Sequence, residues 1–584
     1  MFLQWIRVEN YRNLQEVTVQ FHKQYNYFVG ENAIGKSNLL DLLSILANTK
    51  GFDEKDFFEI HKPIRITMEI ELEEAEQGTY WDEDDSTVNT ITLVAEQLLQ
   101  EVYPRLYRQT DTKRRPLPLA LFRKICYVSH RDTSIASLYE IRQSTLAGLE
   151  KQLHQFLSSK GLPDSAEKGC QWLVGESISL SALTAPVDLC RGYVPAGISL
   201  MERLLTMLAY HERMSDCGYT PDTEQLLLVV QLKMLAYLYE RSQSMAANLR
   251  ESLVYVSGDR CYLPLLVSVD EPEIRLNPYL QRAVLSCYRK LLSNESSSFS
   301  ALLKGLFGID GLRGQLFIVT HATDALIDDY RNIIRFYRDT NGHIATACGA
   351  SFFFPRELEK HLIMHFPEAK EALYARAIIL VEGETEYGSF RGFGEHIGVN
   401  FDYYGICLIN ARGESSISKL AKLFRRFSIP TVVLYDQDVS EKYSRNSKNI
   451  FFTDTLCFEA EIVTHLLGRK RRDILDKIVA DLVEDGHGTV TRDMLKRGLA
   501  KLSVQRTQIS PRRLSHISDR QYKDLKEYYF SWFYSNKGVI VGRRIAYHLT
   551  DELIPPVFKA VICRARDLAL HHEQKEDSHD RDEI

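Results

Sequence analysis

At 584 residues the chain is too long for a single hydrophobic core, and about three or four domain-sized units are expected. With 45% hydrophobic and 26% charged residues it has the composition of ordinary folded protein, and no run approaches the ~20 apolar residues of a membrane span. The net charge of −6 does not advertise nucleic-acid binding, although a local basic face suffices for phosphate contacts. The ten cysteines include no Cys-x-x-Cys pair, which argues against zinc and against a disulfide framework. The start, Met1 to Arg7, lacks a basic region ahead of an apolar core, so no signal peptide and a cytoplasmic location are expected.

Residues 2 to 21 alternate as a hairpin with its turn at Asn10 to Asn13. Tyr25-Asn26-Tyr27-Phe28-Val29 reads as a buried strand and runs into Gly30-Glu31-Asn32-Ala33-Ile34-Gly35-Lys36-Ser37, which fits G-x-x-x-x-G-K-[ST] at every specified position. Asn38 to Leu43 then opens a helix. Strand, glycine turn and helix N-terminus aim backbone N–H groups at a phosphate, with the helix dipole favouring its charge. Gly30, Asn32 and Gly35 shape the loop, Lys36 reaches the β- and γ-phosphates, and the Ser37 hydroxyl ligates Mg²⁺, so ATP or GTP binding is expected.

Further on, Ile64 to Leu72 alternates strictly as a half-exposed strand, Glu73 to Asp85 is an acidic loop, and Ile125 to Val128 is a short strand. Helical periodicity runs from about Ser137 to Met214, a helical insertion, and a second helix spans Thr223 to Glu251. Leu263 to Val269 is an apolar strand that ends in Asp270-Glu271-Pro272-Glu273, and Leu316 to Thr320 is another that ends at His321. Ser293 to Ser300 reads as a loop between them. Asp270 is placed to hold Mg²⁺ through water, Glu271 to orient the attacking water, and His321 to sense the γ-phosphate. Three basic clusters are candidates for nucleic-acid contact, Lys113-Arg114-Arg115, Arg425-Arg426 and Arg469-Lys470-Arg471-Arg472, although each by itself reads first as a solvated surface run.

These motifs in this order resemble the ABC-type ATPase head shared with SMC and Rad50 proteins, which implies ATP as nucleotide and heads that pair around it. A signature loop is matched only by Pro195-Ala196-Gly197-Ile198-Ser199, which lacks the usual Ser-Gly-Gly core.

After a helical linker near residues 355 to 375, which follows the strand end Phe352 to Pro355, a second α/β domain begins. Ala377 to Val381 is a buried strand that runs into Glu382-Gly383-Glu384-Thr385-Glu386, and Thr431 to Tyr435 runs into Asp436-Gln437-Asp438. Carboxylates gathered at strand ends suit Mg²⁺ or Mn²⁺, and two such ions can stabilise both oxygens of a phosphodiester displacement. Glu459 and Glu461 add acidic groups further on. This pattern looks like a Toprim domain, and a head followed by a Toprim domain resembles the OLD (overcoming lysogenisation defect) family of ATP-dependent endonucleases. That resemblance implies a metal site built by Glu382, Glu386, Asp436 and Asp438 with Glu461 in preference to Glu459, and a lysine at the scissile phosphate, best matched by Lys537. It also implies DNA as substrate, a homodimer or tetramer formed through the helical insertion, a role in anti-phage defence, and a partner protein or nucleic acid in that role.

The expected layout is a P-loop ATPase head over 1–136 and 251–370, the insertion over 137–250, a Toprim domain over 371–570 and a disordered acidic tail over 571–584. The rival reading is an SMC-like DNA-binding ATPase without nuclease activity. A topoisomerase would need a nucleophilic tyrosine in a further domain that the sequence does not display.

Overall fold

The computed structural model describes residues 1–77, 88–110, 114–131, 135–162, 165–175, 199–216, 221–244, 249–256, 260–274, 276–326, 329–364, 366–443, 447–483, 488–506 and 508–571. The chain divides into two compact units, Met1–Tyr337 with His343–Phe352, and Arg338–Gly342 with Phe353–Ile584. Among the described residues no helix is long and apolar enough to cross a membrane.

The first unit opens with β1 (Phe2–Tyr11), β2 (Leu14–Gln20), β3 (Tyr25–Gly30) and α1 (Lys36–Ala47). β1 and β2 form the expected hairpin, closed by a turn in which Arg12 takes a left-handed φ of 46°. β4 (Ile64–Glu71) buries alternate residues, as a strand with one wet face does. β5 (Thr90–Gln97), β6 (Arg105–Gln109) and β7 (Arg114–Leu117) extend the sheet in the order β2-β1-β4-β5-β6-β7. This antiparallel extension answers no motif in the sequence reading.

β8 (Cys126–His130), β9 (Val254–Val256), β10 (Arg260–Asp270), β11 (Gly311–Val319), β12 (Ile333–Arg338) and β13 (Ile344–Cys348) join β3 in a second sheet. Its order is β13-β12-β3-β11-β10-β8, with β9 on β10, and β12, β3, β11, β10 and β8 run parallel. β3 lies inside this sheet and is buried almost throughout, which is why it reads as a continuous apolar run. Between β8 and β9 lie α2 (Gln143–Ser159), α3 (Ala166–Val174), α4 (Ser199–Asp216) and α5 (Pro221–Gln243), packed on one another. α6 (Pro278–Leu292) and α7 (Ser297–Phe307) follow β10. The serine run expected as a loop therefore starts a helix: Ser296 is its N-cap and accepts from Phe299 N–H at 3.4 Å.

The second unit begins with α8 (Arg356–Met364) and α9 (Phe366–Ala372), so this stretch groups with the C-terminal unit although the sequence reading set its boundary at 370. Phe352 to Pro355, read as a strand end, is irregular. The core is a parallel sheet, β15-β14-β16-β17, built from β14 (Ala377–Val381), β15 (Ile406–Asn410), β16 (Thr431–Tyr435) and β17 (Ile450–Phe452). α10 (Glu384–His396), α11 (Phe401–Tyr404) and α12 (Glu414–Arg426) alternate with the strands. α13 (Phe458–Gly468), α14 (Arg472–Ala480), α15 (Arg492–Lys501), α16 (Tyr522–Ser535), α17 (Val539–His548) and α18 (Pro556–His571) complete the unit. α17 lies against α10 through glycines. A Cβ on Gly388 would sit 2.3 Å from Val539 O, and one on Gly542 would sit 2.1 Å from Thr385 O. Only a backbone without side chains allows that approach. The polar tail 572–584 lies outside the described residues.

Candidate functional site

The phosphate loop leaves β3 at Gly30, whose φ of 129° and position opposite Phe336 of β12 exclude a side chain; a Cβ there would be 2.3 Å from the Phe336 carbonyl oxygen. Gly35, with φ 104°, turns the chain into α1. Lys36 is buried and donates to the carbonyls of Gly30 at 2.9 Å and Glu31 at 2.6 Å. Burial lowers its pKa to about 8, against the pull of Asp270, Glu271, Glu31 and Glu273. Asn32 is part of the same turn.

Asp270 closes β10, and Ser37 Oγ lies 3.4 Å from its Oδ1, so the two residues expected to share Mg²⁺ stand side by side. Burial raises the Asp270 pKa, countered by that hydroxyl and reinforced by Glu271. Glu271 has a left-handed φ of 51° and donates its N–H to Val319 O at 2.8 Å, a bend that sets its side chain at the sheet edge. His321 Nε2 is 3.9 Å from Glu271 Oε1, and burial, then Lys36, lowers its pKa. Two residues escaped the sequence reading. Glu273 clamps the sensor turn, accepting from Thr320 Oγ1 at 2.9 Å and His321 N–H at 2.5 Å. Arg12 ties the hairpin turn to α1 through Asn38 and Asp41, each at 2.8 Å. Pro195 to Ile198 of the signature-loop match lie outside the described residues, and Ser199 opens α4.

In the second unit Glu382 follows β14 and Asp436 follows the adjacent parallel β16, so both stand at the carboxyl edge of the sheet. Gly383 starts α10, and a Cβ there would be 2.9 Å from Glu386 Oε2: the glycine makes room for the carboxylate. Glu386 is buried, and its pKa is raised by burial, then by Glu459 and Glu382, with Lys537 opposing. Asp436 is raised by burial and by Glu386, Glu382, Glu459 and Asp438. Burial, then Asp438 and Glu414, raises Glu382, whose Oε2 is buried without a hydrogen-bond partner. Four carboxylates that repel one another in a desolvated place are unstable without a compensating positive charge.

The choice between the two later glutamates reverses the sequence preference. Glu459 accepts from Thr385 Oγ1 at 3.0 Å and acts on Glu386 and Asp436, whereas Glu461 accepts from Thr455 N–H at 2.8 Å and Thr455 Oγ1 at 2.9 Å. Two residues apart on α13, they point about 200° apart around the helix, and only one can face the cluster. Glu459→Gln is therefore expected to weaken divalent-cation binding about tenfold or more, and Glu461→Gln to change it less than about threefold, as read by titration calorimetry. Equal losses would restore Glu461.

Lys501 of α15 is a further residue missed in the sequence. Its Nζ is 2.5 Å from Asp438 Oδ2; burial, the largest single influence, lowers its pKa, but this bond and the nearby negative charge of Asp438 together raise it. Lys537 is exposed, with Nζ 5.1 Å from the centre of the Tyr534 ring. Asp436 Oδ1 accepts from Phe458 N–H at 3.2 Å. Among the described residues no three such side chains stand in ligating geometry. The donor set nonetheless fits a hard divalent cation: all oxygen, mutually repelling, and including the orphaned Glu382 Oε2.

The basic clusters serve local structure. Arg114 pairs with Glu96 at 3.0 Å on the antiparallel sheet, and Lys113 lies outside the described residues. Arg472 is a strut, donating to Leu514 O at 2.8 Å and Ile517 O at 2.7 Å, and Arg471 pairs with Asp473 at 2.8 Å. Arg425 and Arg426 end α12, where cations suit the helix dipole.

A phosphate-loop head of mixed sheets and a parallel-sheet unit with acidic strand ends together define an ATPase joined to a Toprim domain. Comparison with known proteins gives the same pair: the AAA ATPase domain matches residues 1–158, and the Toprim domain of overcoming lysogenization defect protein-like proteins matches residues 373–438. The chain thus carries an ATPase domain at its start and, further on, a Toprim domain like that of overcoming lysogenization defect protein-like proteins.

Curated relatives include the DNA replication and repair protein RecF of Leptospira interrogans serovar Lai, 39% identical over 56 residues, and that of Staphylococcus haemolyticus, 48% identical over 50. These matches cover 10% and 9% of this chain, and the chain spans only 15% and 14% of those relatives. Among solved structures, the C-terminal region of the Xanthomonas campestris pv. campestris OLD protein is 16% identical, with 35% of this chain and 98% of that one covered at a TM-score of 0.24. The SMC head domain of Thermotoga maritima is 11% identical, with 59% and 98% covered at a TM-score of 0.25.

Proposed function

We propose that this protein is a metal-dependent DNA endonuclease whose cutting site is the carboxylate cluster of the second unit and whose timing is governed by ATP at the first. The observation that carries the reading is the desolvated set Glu382, Glu386, Asp436 and Glu459, with one buried oxygen that no protein donor satisfies. Such a set is costly to fold unless positive charge completes it.

Glu382, Glu386, Asp436, Asp438 and Glu459 would hold Mg²⁺ or Mn²⁺, which when bound supplies charge stabilisation to the attacking and leaving oxygens of a phosphodiester. The chain's own groups do the rest. Thr385 fixes Glu459 and is itself held by Gly538 N–H at 3.1 Å, so the start of α17 is coupled to the cluster. Lys537, just before that helix, sits close enough to lower the Glu386 pKa and would meet the scissile phosphate. Lys501 offers a second cation once Asp438 turns to the site.

In the head, Lys36 and the loop N–H groups hold the phosphates, Ser37 and Asp270 would hold the nucleotide's Mg²⁺, Glu271 orients water, and His321 reads the γ-phosphate. Homo-oligomerisation through α2 to α5, and a setting in anti-phage defence with a partner protein or nucleic acid, rest on the family resemblance. The test is conversion of supercoiled plasmid to nicked or linear form with Mg²⁺ or Mn²⁺, in the absence of nucleotide, with ATP and with a non-hydrolysable analogue. Cutting with metal and none with chelator is expected; no cutting in any condition returns the protein to the class of DNA-binding ATPases.

A further inference from the structure

α17 carries a feature that the cutting chemistry does not use. Its inner side is locked to α10 by Gly388 and Gly542, and by Gly392, where a Cβ would meet Ala546 Cβ at 2.7 Å. The other side presents Ile540, Arg543, Arg544 and Tyr547, at spacings i, i+3, i+4 and i+7, hence one face. Large apolar groups on a cationic helix face are unusual, yet Ile540 is 69% and Tyr547 72% exposed. No acidic residue lies anywhere on the helix. Arg543 makes no ion pair among the described residues; Arg544 is 3.7 Å from Asp481, a pair that His548 shares at 2.8 Å. The Tyr547 ring meets the His548 ring edge-on, centroids 5.1 Å apart, with its faces open to solvent.

Position sets the occupant. The helix starts at Gly538, whose N–H holds Thr385, which holds Glu459, and exposed Lys537 precedes it. The stripe therefore leads away from the carboxylates. At 1.5 Å per residue it runs about 10 Å from Ile540 to Tyr547, the length of roughly three stacked nucleotides at 3.4 Å each. Paired DNA offers phosphates to such a surface and hides its base faces; an unpaired strand offers both, and the arginines and the tyrosine match that chemistry.

We propose that the α17 face binds a short single-stranded DNA segment next to the cutting site, so that frayed, branched or gapped DNA is preferred over continuous duplex. This deepens the nuclease reading and rests on it for biological meaning, but binding is separable from cutting.

The test is fluorescence anisotropy with the full chain in EDTA, using a labelled single-stranded oligonucleotide and the duplex of the same sequence. Tyr547→Ala is expected to weaken single-strand binding by about 5- to 50-fold and duplex binding by less than about twofold, Arg543→Glu to weaken both, and Tyr547→Phe to bind as the parent does. Both positions are exposed, so melting temperatures should be unchanged. Unaltered single-strand affinity in Tyr547→Ala, an equal loss for both DNAs in that variant, or a change of assembly size in light scattering, which would make this face a protein contact, would each overturn the proposal. If single-strand binding is lost as expected while the parent cuts no DNA, the binding face stands and the nuclease reading falls.

Discussion

Asp436→Asn is expected to abolish DNA cleavage and at the same time stabilise the folded protein. The loss follows from removing a charged oxygen donor at the centre of the cluster, where several kcal/mol of transition-state stabilisation are supplied; a fall of at least about a thousandfold, ~4 kcal/mol, is expected. The gain follows from the same placement. Burial and four neighbouring carboxylates raise the Asp436 pKa, so the folded chain keeps its proton where the unfolded chain has released it. Folded protein therefore binds more protons than unfolded above the ordinary carboxylate range, and its stability falls as pH rises through that interval. Asparagine does not titrate, and its Oδ1 can still accept from Phe458 N–H. The variant should unfold later near neutral pH by about 0.5–2 kcal/mol in metal-free urea titrations, a site trade-off of stability against activity. The advantage should vanish at pH below the ordinary carboxylate pKa, where both residues are uncharged. An unchanged or lowered stability at neutral pH would mean that the cluster is not strained by its own charge.

Lys36→Ala is expected to remove nucleotide binding, by about a hundredfold or more in affinity, and with it every difference between cleavage measured with and without ATP. The lysine's two hydrogen bonds to Gly30 and Glu31 carbonyls show that its ammonium lies inside the loop that cradles phosphates. No group of the carboxylate cluster changes, so the cutting chemistry itself should survive at the level of the nucleotide-free parent. Cleavage that matches the parent's in every nucleotide state would count against control by the head.

How much of this was legible in the sequence depended on whether a residue's partner was near it in the chain. Gly30 to Ser37 and Asp270 were readable because strand, turn and helix constrain a local pattern, and β3 and β14 were readable because central parallel strands are apolar on both faces. β6 and β7 went unread because their pairing is settled by neighbours in the sheet, with no apolar run to mark them, whereas β5 carries a signal that was passed over, the buried Ile91, Leu93, Val94 and Ala95. Ser296 was taken for loop composition although serine is also a helix cap. Glu459 and Glu461 could not be separated without the phase of α13 relative to Thr385. Lys501 gave no signal: it reaches Asp438 from 63 positions away, through a fold that only the structure supplies. The same logic holds for the basic clusters, since Arg472 is spent on backbone carbonyls, while the arginines left facing outward, Arg543 and Arg544, sit in a mostly apolar sequence.

The claim that cutting belongs to the second unit and control to the first is tested most directly by one comparison. Supercoiled plasmid is incubated with parent, Asp436→Asn and Lys36→Ala proteins in Mg²⁺ or Mn²⁺, and ATP binding is measured on the same preparations. The predicted result is no cutting with intact ATP binding for Asp436→Asn, and cutting that ignores ATP for Lys36→Ala. Nicking by Asp436→Asn at the parent's rate would contradict it.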